Sequence, residues 1–117
     1  MAKIMIVDDS KFVRHSIKKM LVSKNQDIIG EAEDGIDAVE KYKSLQPEIV
    51  IMDIMMPRKN GIEAMKEIME YDKDCKIVVC SSLHQEKIIN KAMKLGALGY
   101  IFKPFEIKKL MSVINAI

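Results

Sequence analysis

The sequence predicts a doubly wound α/β domain, in which helices cover both faces of a five-stranded parallel sheet. Five short apolar runs alternate along the 117 residues with five segments whose apolar residues recur at helical spacing. Three of the runs are continuous, which is typical of strands that are buried on both faces of a parallel sheet. Regular alternation of strand and helix favours right-handed crossovers between parallel strands.

The five strands are predicted from the apolar runs. The first, third and fourth runs are the continuous ones, and the fourth ends in a cysteine that we interpret as a small core residue. In order, the runs are Ile4 to Val7, Ile28 with Ile29, Ile49 to Met52, Ile77 to Cys80 and Tyr100 to Phe102.

The five helices are predicted from apolar stripes between these runs. Asp34 is a suitable N-cap for the second helix, Asn60-Gly61 precedes the third, and Gly96 closes the fourth. In order, the stripes are Phe12, Val13, Ile17, Met20 and Leu21; Ile36, Val39 and Tyr42; Ile62, Met65, Ile68 and Met69; Ile88, Ile89, Ala92, Met93 and Leu95; and Ile107, Leu110, Met111 and Ile114.

Composition limits the classes of function. The length suggests one domain over residues 1–117, and 49% hydrophobic residues are enough for a core without disulfides. The net charge of +2 argues against a nucleic-acid binder that depends on bulk charge. No run approaches the roughly 20 apolar residues that span a bilayer, and no signal-peptide pattern opens the chain. We therefore expect a reduced, cytoplasmic protein that does not bind membranes.

Polar residues follow the ends of four predicted strands. Asp8 and Asp9 follow the first strand, Asp53 the third, Ser81 the fourth and Lys103 the fifth. The carboxyl ends of parallel strands share one edge of the sheet, where ligands bind. Taken singly, these residues are explained as helix caps, a turn hydroxyl or a solvated lysine. Asp53 resists that explanation, because apolar residues flank it on both sides and burying an unpaired carboxylate is costly.

Three carboxylates and an amine at one edge indicate a particular chemistry. Close carboxylates repel one another and need a cation, and oxygen ligands favour a hard ion such as Mg2+ or Ca2+. Waters, a backbone carbonyl or a phosphate must complete the coordination shell. Lys103 and Ser81 suit two oxygens of a phosphoryl group. The edge is therefore expected to hold a phosphoryl group beside Mg2+, with Asp53 as the oxygen nucleophile.

Four motifs make nearly the whole chain resemble the receiver domains of response regulators, and among them the stand-alone chemotaxis regulators. The motifs are Val-Asp-Asp-Ser at 7–10, Met-Asp-Ile-Met-Met-Pro at 52–57 with Gly61, Cys-Ser-Ser at 80–82 and Tyr-Ile-Phe-Lys-Pro-Phe at 100–105. The resemblance implies a CheY-like, flavodoxin-like sheet with strand order 2-1-3-4-5. It also implies a two-component switch that is activated by phosphorylation.

The resemblance implies roles for the acids and their neighbours. Asp53 would accept the phosphoryl group from a histidine kinase. Asp8 and Asp9 would bind Mg2+ together with Asp53 and the backbone carbonyl of Met55. Met55 and Leu83 occupy positions that vary in the family, and their apolar side chains are expected to influence how long the phosphoryl group survives.

Three further roles follow from the same resemblance. Lys103 would pair with Asp53 and then with the phosphate, and Ser81 would sense the phosphoryl group. Tyr100 would be an aromatic switch that turns inward when Ser81 moves. The peptide bond between Lys103 and Pro104 is expected to be cis.

The last third of the chain carries the expected docking surface. Residues 84–117 contain six lysines and two glutamates. Lys87, Lys91 and Lys94 share one side of the fourth helix, and Lys108 opens the fifth, near Tyr100. Such a face is either simply solvated or a docking surface for an acidic partner. The resemblance implies a CheA-like histidine kinase and a motor switch protein or archaeal adaptor as partners of a monomer.

Three alternatives remain at this stage. A receiver cut from a longer regulator outside chemotaxis would share every motif, although the chain ends after the fifth helix without a linker. A small phosphatase with an Asp nucleophile would need a second acid where Met55 stands. A flavodoxin-like cofactor binder would need a Gly-, Ser- and Thr-rich loop in place of Asp8-Asp9-Ser10. We therefore expect a signalling switch that catalyses only its own phosphotransfer and dephosphorylation.

Overall fold

Strands and helices alternate along the chain in a computed structural model that describes residues 1–117. The longest helix has 12 residues, and no helix has the length and apolarity needed to cross a membrane. The elements are β1 Lys3–Val7, α1 Lys11–Val22, β2 Asp27–Ala32, α2 Gly35–Leu45, β3 Ile49–Met52, α3 Gly61–Tyr71, β4 Ile77–Ser81, α4 Glu86–Leu95, β5 Gly99–Phe102 and α5 Ile107–Asn115.

The strands form one parallel sheet in the order β2-β1-β3-β4-β5, which confirms the predicted fold. All residues of β3 and β4 are buried, as are four of the five in β1. These are the three continuous apolar runs of the sequence. The edge strands β2 and β5 are only partly buried, which matches their shorter and less continuous runs.

Side chains from the two faces of the sheet form two separate hydrophobic layers. In the first layer, alternate residues of β1, β3 and β4 pack against α2, α3 and α4. In the second layer, the intervening residues of the same strands pack against α1 and α5. The separation follows from the two-residue period of a strand, which sends neighbouring side chains to opposite faces. Cys80 is buried in the second layer, as expected for a core residue.

The predicted helix ends are largely confirmed. Asp34 caps α2 by accepting the Asp37 N–H, and Asn60 forms a capping box with Glu63 at the start of α3. Gly96 ends α4 with a φ of +120°, a conformation that favours glycine.

Three residues that the apolar stripes assigned to the core are exposed instead. Phe12 is 79% exposed, Met93 44% and Ile36 36%. At 3.6 residues per turn, Phe12 lies roughly 140° around α1 from Ile17, which is outside the face that packs on the sheet. The predicted stripe of α1 was therefore too wide.

Packing of α5 on the second layer predicts a large cost for truncating its central side chain. Leu110 is fully buried, so Leu110→Ala should lower the free energy of unfolding by about 2–5 kcal/mol in urea denaturation. Ser112→Ala changes an exposed residue of the same helix and should stay within about 0.5 kcal/mol of the wild type. Equal effects of the two substitutions would contradict the packing of α5.

Candidate functional site

The C-terminal edge of the sheet carries most of the buried polar side chains. Asp8 follows β1, Asp53 follows β3, and Ser81 ends β4. These three residues are 2%, 8% and 1% exposed, and the only other buried polar side chain is that of Asp34, at 3%. Lys103 follows β5, and its N–H extends the β4–β5 ladder by donating to the Ser81 carbonyl at 2.9 Å. The strand ends therefore meet as the sequence predicted.

Three carboxylates form an acidic cluster at this edge. One oxygen each of Asp8, Asp9 and Asp53 lies within 4.8 Å of the other two. Two ligands of one Mg2+ lie at most about 4.2 Å apart, so small side-chain movements separate this arrangement from a ligand set. Asp9 is exposed and opens the cluster to solvent. An oxygen-only donor set of this size fits a hard divalent cation.

Lys103 bridges the two buried carboxylates of the cluster. Its Nζ contacts Asp8 Oδ2 and lies 3.2 Å from Asp53 Oδ2. The remaining oxygens accept backbone hydrogen bonds: Asp8 Oδ1 from the Ser10 N–H at 2.9 Å, and Asp53 Oδ1 from the Ile54 N–H at 2.8 Å. Every oxygen of the two buried acids thus has a partner, which explains how an acid is tolerated at the end of an apolar strand.

Burial and the attraction between opposite charges shift the pKa values of Asp53 and Lys103 in opposite directions. Burial raises the pKa of Asp53, Lys103 lowers it, and repulsion from Asp8 raises it, so that the pKa lies above its ordinary value. For Lys103, burial alone would lower the pKa, but the carboxylates of Asp8 and Asp53 outweigh burial and raise the pKa above the usual value. The ammonium therefore stays charged, while the ionised form of Asp53 is disfavoured without a further cation.

A short chain of hydrogen bonds connects Ser81 to Tyr100. The Ser81 hydroxyl oxygen accepts the Leu83 N–H at 3.1 Å, and the Leu83 carbonyl accepts the Tyr100 hydroxyl at 2.9 Å. The Tyr100 ring is half-buried and meets Phe102 edge to face at 5.5 Å between centroids. Leu83 therefore couples the buried serine to the aromatic ring through its two backbone groups.

The loop of residues 53–60, between β3 and α3, brings Met55 beside the acids. Met55 is 61% exposed. With Leu83 and Asp9 it lines a shallow groove of about 650 Å3. The loop closes tightly onto α3, because the Gly61 N–H donates to the Ile54 carbonyl at 2.8 Å and a Cβ on Gly61 would lie 2.1 Å from the Asp53 carbonyl oxygen. Apolar side chains thus adjoin the acidic cluster on its open side.

Several residues around the site were not identified from the sequence. Ser10, rather than Asp8 or Asp9, caps α1. Arg14, one turn into α1, donates to the Asp8 carbonyl at 2.6 Å. Arg58 pairs with Asp34, whose cap was predicted but whose partner was not. The preference for serine at N-caps could have identified Ser10 as the cap of α1. No sequence pattern connects Arg58 to an acid 24 positions away.

The lysines of the expected docking surface all lie exposed around β5. They are Lys87, Lys91 and Lys94 on α4 and Lys108 on α5. Phe102 is 40% exposed between these helices, and the His84 ring stacks on it at 4.1 Å. Lys108, Phe102 and Phe105 line a cavity of about 520 Å3. The peptide bond between Lys103 and Pro104 is cis, as the resemblance implied.

Comparison with known proteins identifies the family. A sequence model of the response regulator receiver domain matches residues 4–115. The chain belongs to this family. It is 46% identical over 116 residues to chemotaxis protein CheY of Halobacterium salinarum, with coverage of 98% of this chain and 96% of the relative. It is 44% identical over 115 residues to CheY of Thermotoga maritima, again covering 98% and 96%.

Solved structures lead to the same family. A chain in the crystal structure of the CheX-CheY-BeF3-Mg+2 complex from Borrelia burgdorferi matches with a TM-score of 0.95 and 33% identity. The match covers 98% of this chain and 87% of that one. The protein is therefore a receiver domain of a CheY-like two-component response regulator. Such domains act in signalling and are not conventional enzymes, which favours the switch over the phosphatase and the cofactor binder.

The electrostatics of Asp53 predict that a neutral side chain stabilises the metal-free protein. Since folding raises the pKa of Asp53, its ionisation opposes folding once the pH exceeds the unfolded value. In EDTA at pH 7, Asp53→Asn should melt at a higher temperature than the wild type, and the difference should narrow toward about pH 4.

Asp34→Asn is the matched control, because folding lowers the pKa of Asp34, whereas it raises the pKa of Asp53. The Asp37 N–H and Arg58 lower the pKa of Asp34, so its charge stabilises the fold above the unfolded pKa, and this contribution is lost as the pH falls. Asp34→Asn should lower the melting temperature at pH 7, and its difference from the wild type should become smaller as the pH falls. Melts from pH 4 to 8 test both signs, and a lower melting temperature for Asp53→Asn at pH 7 would contradict the assignment of charge.

Proposed function

We propose that the chain is a phosphorylation-activated switch for chemotaxis, and that Asp53 accepts a phosphoryl group from a CheA-like histidine kinase. One observation carries the proposal: a buried carboxylate lies at the end of β3, opposed by Lys103 and joined by Asp8 and Asp9. Membership of the receiver family and the similarity to CheY proteins support it. Residues 1–117 act in this proposal as one receiver unit, a cytoplasmic monomer.

The acidic cluster is the proposed metal site. Asp8, Asp9 and Asp53 would hold Mg2+ together with the backbone carbonyl of Met55. When bound, the ion neutralises charge on the carboxylates and on the phosphoryl oxygens. The related CheY complex contains BeF3 and Mg2+, which supports the same ligand chemistry here. The ion would also offset the two effects that raise the pKa of Asp53, which are its burial and, to a smaller extent, repulsion from Asp8.

The proposed reaction depends on placement and charge. An Asp53 carboxylate oxygen forms the bond to phosphorus as the bond between phosphorus and the kinase histidine nitrogen breaks, and the electron pair stays on the imidazole. Lys103, now bridging two carboxylates, turns its ammonium to a phosphoryl oxygen. Water later hydrolyses the acyl phosphate and restores Asp53. The exposed Met55 and the half-buried Leu83 beside the cluster would limit that water's approach.

Ser81 is the proposed sensor of the new group. Phosphorylation brings about −1.5 to −2 charges and strong acceptor oxygens to Asp53. The Ser81 hydroxyl, whose oxygen accepts the Leu83 N–H, turns to donate to one of these oxygens. The Leu83 peptide then shifts, and Tyr100 follows because its hydroxyl is held by the Leu83 carbonyl. This route ends on the surface between α4 and α5.

That surface is the proposed docking site for the downstream partner. It combines the exposed Phe102 with the half-buried Tyr100 and a rim of lysines. An acidic segment of a motor switch protein or adaptor has the complementary charge, and rim charges act mainly on association rate. The lysines of the rim are Lys87, Lys91, Lys94 and Lys108.

Phosphorylation at a single residue is the direct test of the proposed function. With acetyl phosphate and Mg2+, the intact mass should rise by one phosphoryl group in the wild type, and it should not rise in EDTA or in Asp53→Asn. Asp74→Asn removes an exposed carboxylate elsewhere and should be labelled like the wild type. Labelling of Asp53→Asn to the wild-type extent would refute Asp53 as the acceptor.

Ser81→Ala should separate phosphorylation from the change at Tyr100. The acids and Lys103 remain, so the variant should still accept the phosphoryl group. Its Tyr100 ring resonances should move little on phosphorylation, and its gain in partner affinity should fall well below a typical allosteric factor of about 5–150. Ser82→Ala, the exposed neighbour, should respond like the wild type. Nuclear magnetic resonance spectra of the two proteins at matched phosphorylation test this prediction. If the Tyr100 resonances of Ser81→Ala shift as far as those of the wild type, the signal does not pass through Ser81.

A further inference from the structure

Asp34 is a buried acid that lies outside the acidic cluster. It caps α2 with one oxygen, Oδ1, which accepts the Asp37 N–H at 2.8 Å. Its second oxygen, Oδ2, accepts both Nε and Nη2 of Arg58, at 2.9 and 2.6 Å. A serine or asparagine would serve about equally well as the cap. Only a carboxylate makes a charged pair with an arginine, so the second contact needs its own explanation.

Arg58 lies in the loop of residues 53–60 and has an unusual backbone. Its φ is +65°, in the left-handed region that non-glycine residues seldom occupy. Such a conformation persists only where the surrounding contacts hold it in place. The carboxylate of Asp34, 4% exposed against 58% for the Arg58 side chain, is the fixed partner of the pair.

A second contact fastens the same part of the loop to α2. The N–H of Gly35 donates to the Lys59 carbonyl at 2.8 Å. A Cβ on Gly35 would lie 2.3 Å from that oxygen, so the approach requires a glycine. The N-terminus of α2 therefore holds the loop through one ion pair and one backbone hydrogen bond at consecutive loop residues.

The position of the loop matters for the site because the loop includes Met55, whose backbone carbonyl is a proposed ligand of the cation. One end of the loop is fixed to α3 by the hydrogen bond between Gly61 and Ile54. The other end is fixed to α2 at Arg58 and Lys59. Met55 lies between these two anchors, three residues before Arg58. Release of the second anchor frees the loop to move the carbonyl relative to the acids.

We propose that Asp34 is a positioning residue: its ion pair with Arg58 holds the loop of residues 53–60 so that the Met55 carbonyl meets the cation bound by the acidic cluster. The inference rests on the proposed function, since it assumes a divalent cation at Asp8, Asp9 and Asp53. Asp34 is not one of the three carboxylates of the acidic cluster, so it acts on the site through the loop. Its effect is on the affinity for Mg2+ and, through it, on the Mg2+ concentration needed for phosphorylation.

The test compares Mg2+ affinity in Asp34→Asn and Arg58→Gln. Asparagine keeps an acceptor for the cap and loses the ion pair. Each variant should weaken Mg2+ binding by about tenfold in calorimetric titration, as expected for residues that orient a metal ligand. The double variant should be no weaker than either single one, because both remove the same interaction. At saturating Mg2+ the phosphorylation rate should return close to that of the wild type.

The two variants also separate positioning from long-range charge. Removing the negative charge of Asp34 would weaken cation binding by simple electrostatics, but removing the positive charge of Arg58 would strengthen it. Only a shared positional role weakens both. Asp37→Asn, which removes a carboxylate that pairs with Lys41 within α2, is the matched control and should change the affinity little.

A measurement without metal provides an independent readout. If the ion pair holds the loop, the amide hydrogen of Gly35 should exchange faster in metal-free Asp34→Asn and Arg58→Gln than in the wild type, while amides within β3 keep their rates. Arg58→Gln with wild-type or tighter Mg2+ binding would overturn the positioning role. A wild type that neither binds Mg2+ nor is phosphorylated would instead overturn the proposed function, and this role with it.

Discussion

The bridge from Lys103 to Asp8 and Asp53 is the interaction on which the site depends. Two carboxylates at the ends of central strands are almost fully removed from water, and each would be costly without a compensating charge. The ammonium comes from the end of an edge strand, β5, and reaches past β4 to both acids. The strand order therefore matters for the chemistry of the site, because it places β5 close enough for one lysine to contact the acids that follow β1 and β3.

The same bridge leaves the site with unbalanced charge. Three carboxylates gather around one ammonium, so two negative charges remain, which is the amount that one divalent cation balances. Asp9 adds its charge on the exposed side, so a cation bound there would keep part of its water shell. The raised pKa of Asp53 reflects its burial and, to a smaller extent, its repulsion from Asp8, which together outweigh the opposing effect of Lys103.

The residues at strand ends were predictable because a parallel sheet sends all its carboxyl ends to one edge. Continuous apolar runs located β1, β3 and β4, and Asp8, Asp53 and Ser81 follow directly from where those runs stop. The face of a helix was less predictable, as the exposed Phe12 shows, because apolar spacing does not fix how wide the buried stripe is.

Long-range pairs that depend on loop conformation were not predictable. Arg58 meets Asp34 from a backbone in the left-handed region, which non-glycine residues seldom adopt, so no periodicity or cap preference in the sequence indicates the pair. The resemblance implied that Tyr100 turns inward when Ser81 moves, and this stays a prediction. The structure adds a hydrogen-bonded connection between the two residues through the backbone of Leu83, which side-chain types in a sequence do not indicate.

The sheet separates the hydrophobic core into two layers, one on each of its faces. Tyr100, Leu83 and Ile88 pack against the first layer only, whereas Phe105, Ile107 and Met111 pack against the second. Leu83 and Tyr100 therefore have their core contacts on one side of the sheet, and α1 and α5 pack on the other side. The layer of 17 buried residues is thus the one that contacts Leu83 and Tyr100, and the layer of 11 buried residues, which includes those of α1 and α5, lies on the opposite face of the sheet.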